Sequence, residues 1–184
     1  MVASFEERKA LVLGHFVREY GNRPQWWARA PGRVDLMGSH TDYNMGYVMT
    51  MTLDRDTWIA ARTRDDRRVC VHSLNTEGGA EFDLDSIAYD PVYPWTNYVR
   101  GMLKAMQDAG HTLRGFNVLV HSTIPFASGL SSSAALEMAT GIVIQLIGGF
   151  SIDPAAMALL GQKAENRFVG VSSGILDQYS SALG

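Results

Sequence analysis

A chain of 184 residues that is 46% hydrophobic and 19% charged is long and apolar enough to bury one substantial core. Its formal net charge of −3 gives no strong pull toward nucleic acid or an anionic membrane, so neither is expected as a partner. The single cysteine, Cys70, excludes an intrachain disulfide and a multi-cysteine zinc site, and it suits a buried strand position.

Ser4 and Glu7 form a capping-box pattern, and Phe5, Leu11, Leu13, Phe16 and Val17 give a roughly amphipathic helix that ends near Tyr20, before "GNRP". The opening "MVASFEERKA" has acidic residues and no apolar core, so it does not read as a signal peptide; a reducing, cytoplasmic setting is the default. Strand-like runs follow at Gln25–Ala30, Tyr47–Leu53, Thr57–Thr63, Val69–Leu74 and Ala80–Leu84. The interval Ala30–Gly46 is rich in Gly, Asp and Asn and reads mostly as loop. Arg62, Arg64, Arg67 and Arg68 are interrupted by Asp65 and Asp66, which suits a solvated hairpin turn better than a nucleic-acid patch.

Thr96–Ala109 reads as a helix, Phe116–His121 as a strand, Ser132–Ile147 and Pro154–Phe168 as helices, and Ile175–Leu183 as a last short helix. Asp153 sits at the N-cap of the Pro154 helix and Pro154 at its first position. The most apolar stretch, Met138–Phe150, contains Thr140, Gln145 and three glycines and is too short and interrupted to span a bilayer. Strands fill the first half and helices the second, with few βαβ alternations, which predicts an α+β fold in one domain over residues 1–184. Gly184 follows the final helix with no tail, as at the end of a fragment.

"PFASGLSSSAALE", Pro125–Glu137, puts a glycine and three serines directly before a helix. A helix N-terminus offers unpaired N–H groups and partial positive charge, and a preceding glycine lets a ligand approach the backbone, so the stretch suits a phosphate. A plain cap with small packing residues explains it equally well. It is not a G-x-x-x-x-G-K-[ST] loop: the only lysines are Lys9, Lys104 and Lys163. If a nucleotide binds, Mg²⁺, arginine and the backbone must neutralise its charge, and one serine with one carboxylate suffices to hold the ion. Glu165 and Asp177 are available downstream; taken alone, each reads as an ordinary helix-surface or helix-start carboxylate.

"PGRVDLMGSHTDYNMG" (Pro31–Gly46) resembles the sugar-kinase signature of galactokinases, members of the GHMP kinase superfamily, within a segment at about 25–52. "PFASGLSSSAALE" resembles that superfamily's phosphate loop, "GILDQYSSALG" the segment with its catalytic aspartate, and "YPWTNYVRGML" the stretch near adenine. The four occur in the family's order over essentially the whole chain. The resemblance implies a ribosomal-protein-S5-like α+β N-terminal domain and phosphoryl transfer from ATP to a sugar's anomeric hydroxyl. It implies Asp177 as catalytic base, with Arg33 stabilising the reacting oxygens. Ser133 and Glu165 would hold Mg²⁺. The backbone of Ala127, Ser128, Gly129, Leu130, Ser131, Ser132 and Ser133 would cradle the phosphates. Trp95, with Ser73 and Tyr98, would line the adenine pocket. Ser39, His40 and Asp42 would occupy sugar-binding positions, and Gly174 would approach the sugar with its backbone.

The family pattern has asparagine at Asp35 and glutamate at Ser39, a glutamate expected to accept a hydrogen bond from the sugar's C6 hydroxyl. These departures leave galactose, L-arabinose and a uronic acid as candidate substrates. Galactokinases also continue into a C-terminal domain that this chain lacks, so the chain alone is expected to be inactive. A catalytically silent sugar and ATP sensor is the rival reading; the intact loop, Arg33, Glu165 and Asp177 favour the enzyme.

Overall fold

The capping box forms as the sequence predicts. In the computed structural model, which describes residues 4–184, the Ser4 amide donates to Glu7 Oε2 at 2.8 Å and the Glu7 amide to Ser4 Oγ at 3.3 Å. Helix α1 (Phe5–Tyr20) starts there, and Gly21, at φ 71°, ends it in the left-handed conformation. The first three residues of the N-terminal stretch lie outside the described part, and with them the start of the 1–184 domain range.

Five strands follow, β1 (Trp26–Met37), β2 (Met49–Thr63), β3 (Arg68–Ser73), β4 (Gly79–Asp83) and β5 (Phe116–Ser122). They form one sheet in the order β1-β2-β5-β3-β4, with β3 and β5 parallel and the other neighbours antiparallel. Three expectations need correction here. Strand β1 continues to Met37 through the stretch read as loop. It is an edge strand, so Pro31 deprives no neighbour of a hydrogen bond, and irregularities on either side of Arg33–Asp35 absorb the misfit. Strand β2 is continuous where two strands were expected, because Asp56 is satisfied by tertiary partners: Arg8, the Trp58 indole N–H at 3.0 Å and Thr123 Oγ1 at its amide. The arginine-rich segment between β2 and β3 is not a hairpin, since β5 inserts between those strands. It is solvated as expected, and it is ion-paired through Arg64–Asp66, Arg67–Asp85 and Arg68–Glu81.

Helices α2 (Thr96–Asp108), α3 (Ser132–Gly148) and α4 (Pro154–Ala164) complete the main core with Val99, Met102, Met106, Met138 and Val143 against Val118 and Val120 of β5. Helix α1 covers the other face, where Val12 and Phe16 meet Ala60 and Leu119. Successive side chains of β5 therefore alternate between the two cores, with Leu119 buried beneath α1 and Asn117 and His121 partly exposed on that same face. Each fully buried side chain of this size contributes about 1.5–3 kcal/mol. Cys70 is buried on β3 as expected, with its thiol pushed up to about 11 by burial. The Pro154 helix stops at Ala164 and widens into a π-turn, Glu165–Val169, rather than continuing as α-helix to Phe168. The last helix, α5 (Leu176–Leu183), is tied to the first two strands by Ser181 Oγ to the Pro31 carbonyl and Ser180 Oγ to Thr50 Oγ1. Among the described residues, no helix is long and apolar enough to cross a membrane.

The far ends of β1 and β2 and the loop between them expose Leu36, Met37, Tyr43, Met45, Tyr47 and Met49; Met45 and Tyr47 are 96% and 99% accessible, as open as in an extended chain. Apolar surface of that kind is a contact surface or an aggregation liability. The 184-residue chain by itself is expected to self-associate at micromolar concentration in sedimentation velocity, and Met45→Ser with Tyr47→Ser to reduce this. A monodisperse monomer at high concentration would contradict the expectation.

Candidate active site

The segment Pro125–Ser133 leaves β5 and enters α3 through a series of left-handed residues, Ala127 (φ 54°), Gly129 (φ 71°) and Ser131 (φ 56°). Two of these are not glycine, and such conformations cost about 1–3 kcal/mol each, a strain that collects at ligand-binding loops. Ser131 stands at the N-cap of α3 yet makes no capping hydrogen bond, so the first N–H groups of the helix are left for another acceptor. The serines divide their work. Ser128 Oγ donates to the Pro125 carbonyl at 2.7 Å and Ser131 Oγ to Asp177 Oδ2 at 2.5 Å, while Ser132 and Ser133 make no side-chain hydrogen bond among the described residues. The loop is pinned to β1 by the Arg33 amide on the Leu130 carbonyl at 3.2 Å. Gly32 permits that approach: a Cβ there would lie 2.8 Å from the Leu130 oxygen.

Arg33 and Asp177, 144 residues apart, meet at the loop. Arg33 Nε and Nη2 both donate to Asp177 Oδ1, the first at 2.8 Å, and Nη1 donates to the Gly129 carbonyl at 2.7 Å. The Arg33 side chain is 11% exposed and that of Asp177 28%, so the guanidinium is held while the carboxylate remains reachable. A shallow cleft is lined by Arg33, Asp177 and the whole stretch Ala127–Ser133. The Ser131 hydroxyl belongs to this centre as a partner of Asp177, a role that sequence reasoning missed; a serine that declines its own capping bond is the signal, visible only in three dimensions.

A second cavity, about 270 Å³, adjoins the start of α3 and is lined by Ser73, Trp95 and Tyr98, the three residues expected near adenine, together with Ser132 and Ser133. Thr76 and Asn75 line it too and were not anticipated. Trp95 Nε1 and Thr76 Oγ1 are buried and have no hydrogen-bond partner among the described residues.

The loop after β1 turns through a short 3₁₀ segment, Asp42–Asn44. Asp42 accepts the Ile175 amide on Oδ1 at 3.1 Å and the Leu176 amide on Oδ2 at 3.0 Å, and so ties this loop to the start of α5. Gly174 comes close to Asp42: a Cβ at position 174 would collide with the carboxylate. Ser39 and His40 are exposed; Ser39 Oγ donates to Asp35 Oδ2, and His40 Nδ1 shares a hydrogen bond with Tyr43 Oη at 2.8 Å.

Glu165 is buried in the π-turn, where Oε2 accepts from Ser173 Oγ at 2.7 Å and Gln178 Nε2 at 2.8 Å; no hydrogen bond reaches its Oε1 among the described residues. No group of three or more His, Cys, Asp and Glu gathers among the described residues. A serine hydroxyl and a carboxylate oxygen are each hard donors of the kind that Mg²⁺ takes alongside water and phosphate. Gln178 Nε2 also donates to Glu137 Oε2 at 3.0 Å, linking the two glutamates. Burial, and after it the charge of Glu165, holds Glu137 well above the ordinary carboxylate value. The folded state then binds a proton that the unfolded state has lost, so this group's contribution to stability falls as pH rises above about 4.5. Glu137→Gln carries no such cost. Its stability relative to wild type is expected to rise as pH is raised above about 4.5, by at most about 1.4 kcal/mol per pH unit. Denaturant melts that show a pH-independent difference would refute this.

The galactokinase galactose-binding signature matches residues 14–63, and the GHMP kinases N terminal domain matches residues 97–184. The galactokinase of Chloroflexus aggregans is 50% identical over 173 residues, covering 94% of this chain and 44% of its own length. That of Ligilactobacillus salivarius is 37% identical over 179 residues, covering 96% and 46%. The crystal structure of Lactococcus lactis galactokinase complexed with galactose superposes with a TM-score of 0.89 at 39% identity, over 97% of this chain and 47% of that one. Methanococcus jannaschii mevalonate kinase, at 20% identity and a TM-score of 0.73 over 85% of this chain and 50% of its own, shares the fold. The chain spans less than half the length of the curated relatives it matches. It belongs to the galactokinase family of the GHMP kinase superfamily, and the part it carries corresponds to the N-terminal domain.

Proposed function

We propose that this chain is the ATP- and sugar-binding part of a sugar 1-kinase that transfers the γ-phosphoryl group of ATP to the anomeric hydroxyl of galactose or a close relative. The observation that carries the reading is the Asp177 carboxylate, held between Arg33 and Ser131 at the rim of the loop before α3. Phosphoryl transfer needs little covalent help from a protein; alignment and charge stabilisation dominate. Asp177 takes the proton of the C1 hydroxyl as its oxygen bonds to the γ-phosphorus, the bridging oxygen leaves with ADP, and Arg33 balances charge at the reacting oxygens. The Ala127–Ser133 backbone and the α3 N-terminus hold the phosphates. Adenine occupies the cavity of Trp95, Ser73 and Tyr98. Mg²⁺, held by Ser133 and Glu165, supplies charge neutralisation at the phosphates when bound. Ser39, His40, Asp42 and the Gly174 backbone bound the sugar side, and galactose is the sugar named with the Lactococcus lactis relative. The setting is the cytoplasm, and the complete enzyme includes a C-terminal domain, without which the chain does not turn over.

In the two-domain protein, Asp177→Asn is expected to lower kcat by roughly 10²–10⁴-fold, the usual worth of a general base, with ATP binding retained in calorimetry. Turnover near wild type in that variant would overturn the assignment, and a wild type that binds ATP and sugar without phosphotransfer would point to a sensor.

Glu165→Gln is expected to raise the Mg²⁺ concentration needed for half-maximal activity, because a neutral amide is a poorer ligand for a hard dication. Superimposable Mg²⁺ titrations would remove Glu165 from the metal site.

A further inference from the structure

We propose that Ser39 and Asp35 work as one hydrogen-bond acceptor for a hydroxyl on the sugar, and that the pair selects against a substrate with a carboxylate at that place. The inference rests on the sugar-kinase reading above. Residues 33–35 of β1 pair with Thr52, Met51 and Thr50 without interruption, so Arg33 and Asp35 share one face of the strand, about 7 Å apart. Arg33 holds Asp177, which puts Asp35 on the same side of the strand as the reaction centre.

Ser39 Oγ donates to Asp35 Oδ2. A carboxylate can only accept, so this bond consumes the single proton of Ser39. The exposed serine then offers lone pairs alone to a ligand. Its partner is half-buried behind it, with Oδ1 enclosed and without a donor, and no ion pair neutralises Asp35 among the described residues. A sugar hydroxyl can donate to the exposed Ser39 oxygen, while the enclosed Asp35 Oδ1 lies beyond its reach and contributes through its charge. A sugar carboxylate would present lone pairs to lone pairs in the field of an unneutralised charge. Serine in place of glutamate thus does not abolish the negative character of this corner; the charge stands four residues earlier and acts through the serine.

Galactose, galacturonate and L-arabinose share their ring stereochemistry and differ at C6, which carries a hydroxymethyl group, a carboxylate or nothing. In the two-domain protein, kcat/KM is expected to favour galactose over galacturonate by roughly ten-fold or more, the usual effect of one hydrogen bond to a charged group. In Asp35→Asn the amide can donate to Ser39, whose proton is then free to point outward. The galactose-to-galacturonate ratio should fall several-fold. Ser39→Ala, which leaves Asp35 in place, should lower the galactose-to-arabinose ratio. A purely structural pair would scale all three sugars together. Comparable use of galacturonate and galactose by the wild type, or an unchanged ratio in Asp35→Asn, would overturn the proposal. The same ratios read by calorimetric sugar binding decide the matter if no sugar is phosphorylated, a result that would remove the kinase reading alone.

Discussion

The bond between Arg33 and Asp177 is the constraint on which the site depends. It joins the edge strand of the sheet to the last helix across 144 residues, and the same guanidinium holds the Gly129 carbonyl of the loop between them. A charge-assisted pair of this kind is directional and roughly twice as strong as a neutral hydrogen bond, so it fixes orientation as well as distance. With Ser131 on the other oxygen, Asp177 has little freedom to rotate away from the loop. The carboxylate is partly exposed, which keeps its desolvation cost low and leaves it open to a substrate hydroxyl.

Much of the remaining polar structure serves to keep α5 in place beneath that bond. Asp42 satisfies two amides at the helix start, Ser181 reaches the Pro31 carbonyl, and Gln178, next to Asp177, bridges Glu137 and Glu165 from inside the core. The buried carboxyl of Glu137 is expensive, and its cost is offset by what Gln178 fixes on either side. The expected metal ligand and the expected base are thereby held through adjacent residues of one short helix. Glu165 and Asp177 are thus linked by one hydrogen bond, to Gln178, and one peptide bond.

The sheet supplies the rigid background. β5 is covered on both faces and β1 is left as an edge, so the stable strand carries the Pro125–Ser133 loop at its end and the open strand uses its free side to hold that loop. Lengthening β1 to Met37 brings Arg33 and Asp35 onto one straight stretch of strand, which a loop could not do with the same precision.

What the sequence determines by itself is local. Ser4 and Glu7 announce a helix start because both partners of a capping box lie within one turn, and Asp153 with Pro154 does the same for α4. The glycine and serines before α3 announce a helix start that suits either a plain cap or an anion, and the order of four motifs announces the family. The tertiary structure decides whatever depends on a distant partner. Asp54–Asp56 reads as a strand break until Arg8, Trp58 and Thr123 satisfy Asp56. The arginines after β2 read as a hairpin until β5, fifty residues on, takes the place between β2 and β3. Ser131 reads as a cap until Asp177 claims its hydroxyl, and the need for a glycine at position 174 shows only once Asp42 is found against it. Propensity and capping are properties of a few consecutive residues, whereas a hydrogen bond across more than a hundred residues exists only once the chain has folded and brought donor and acceptor together.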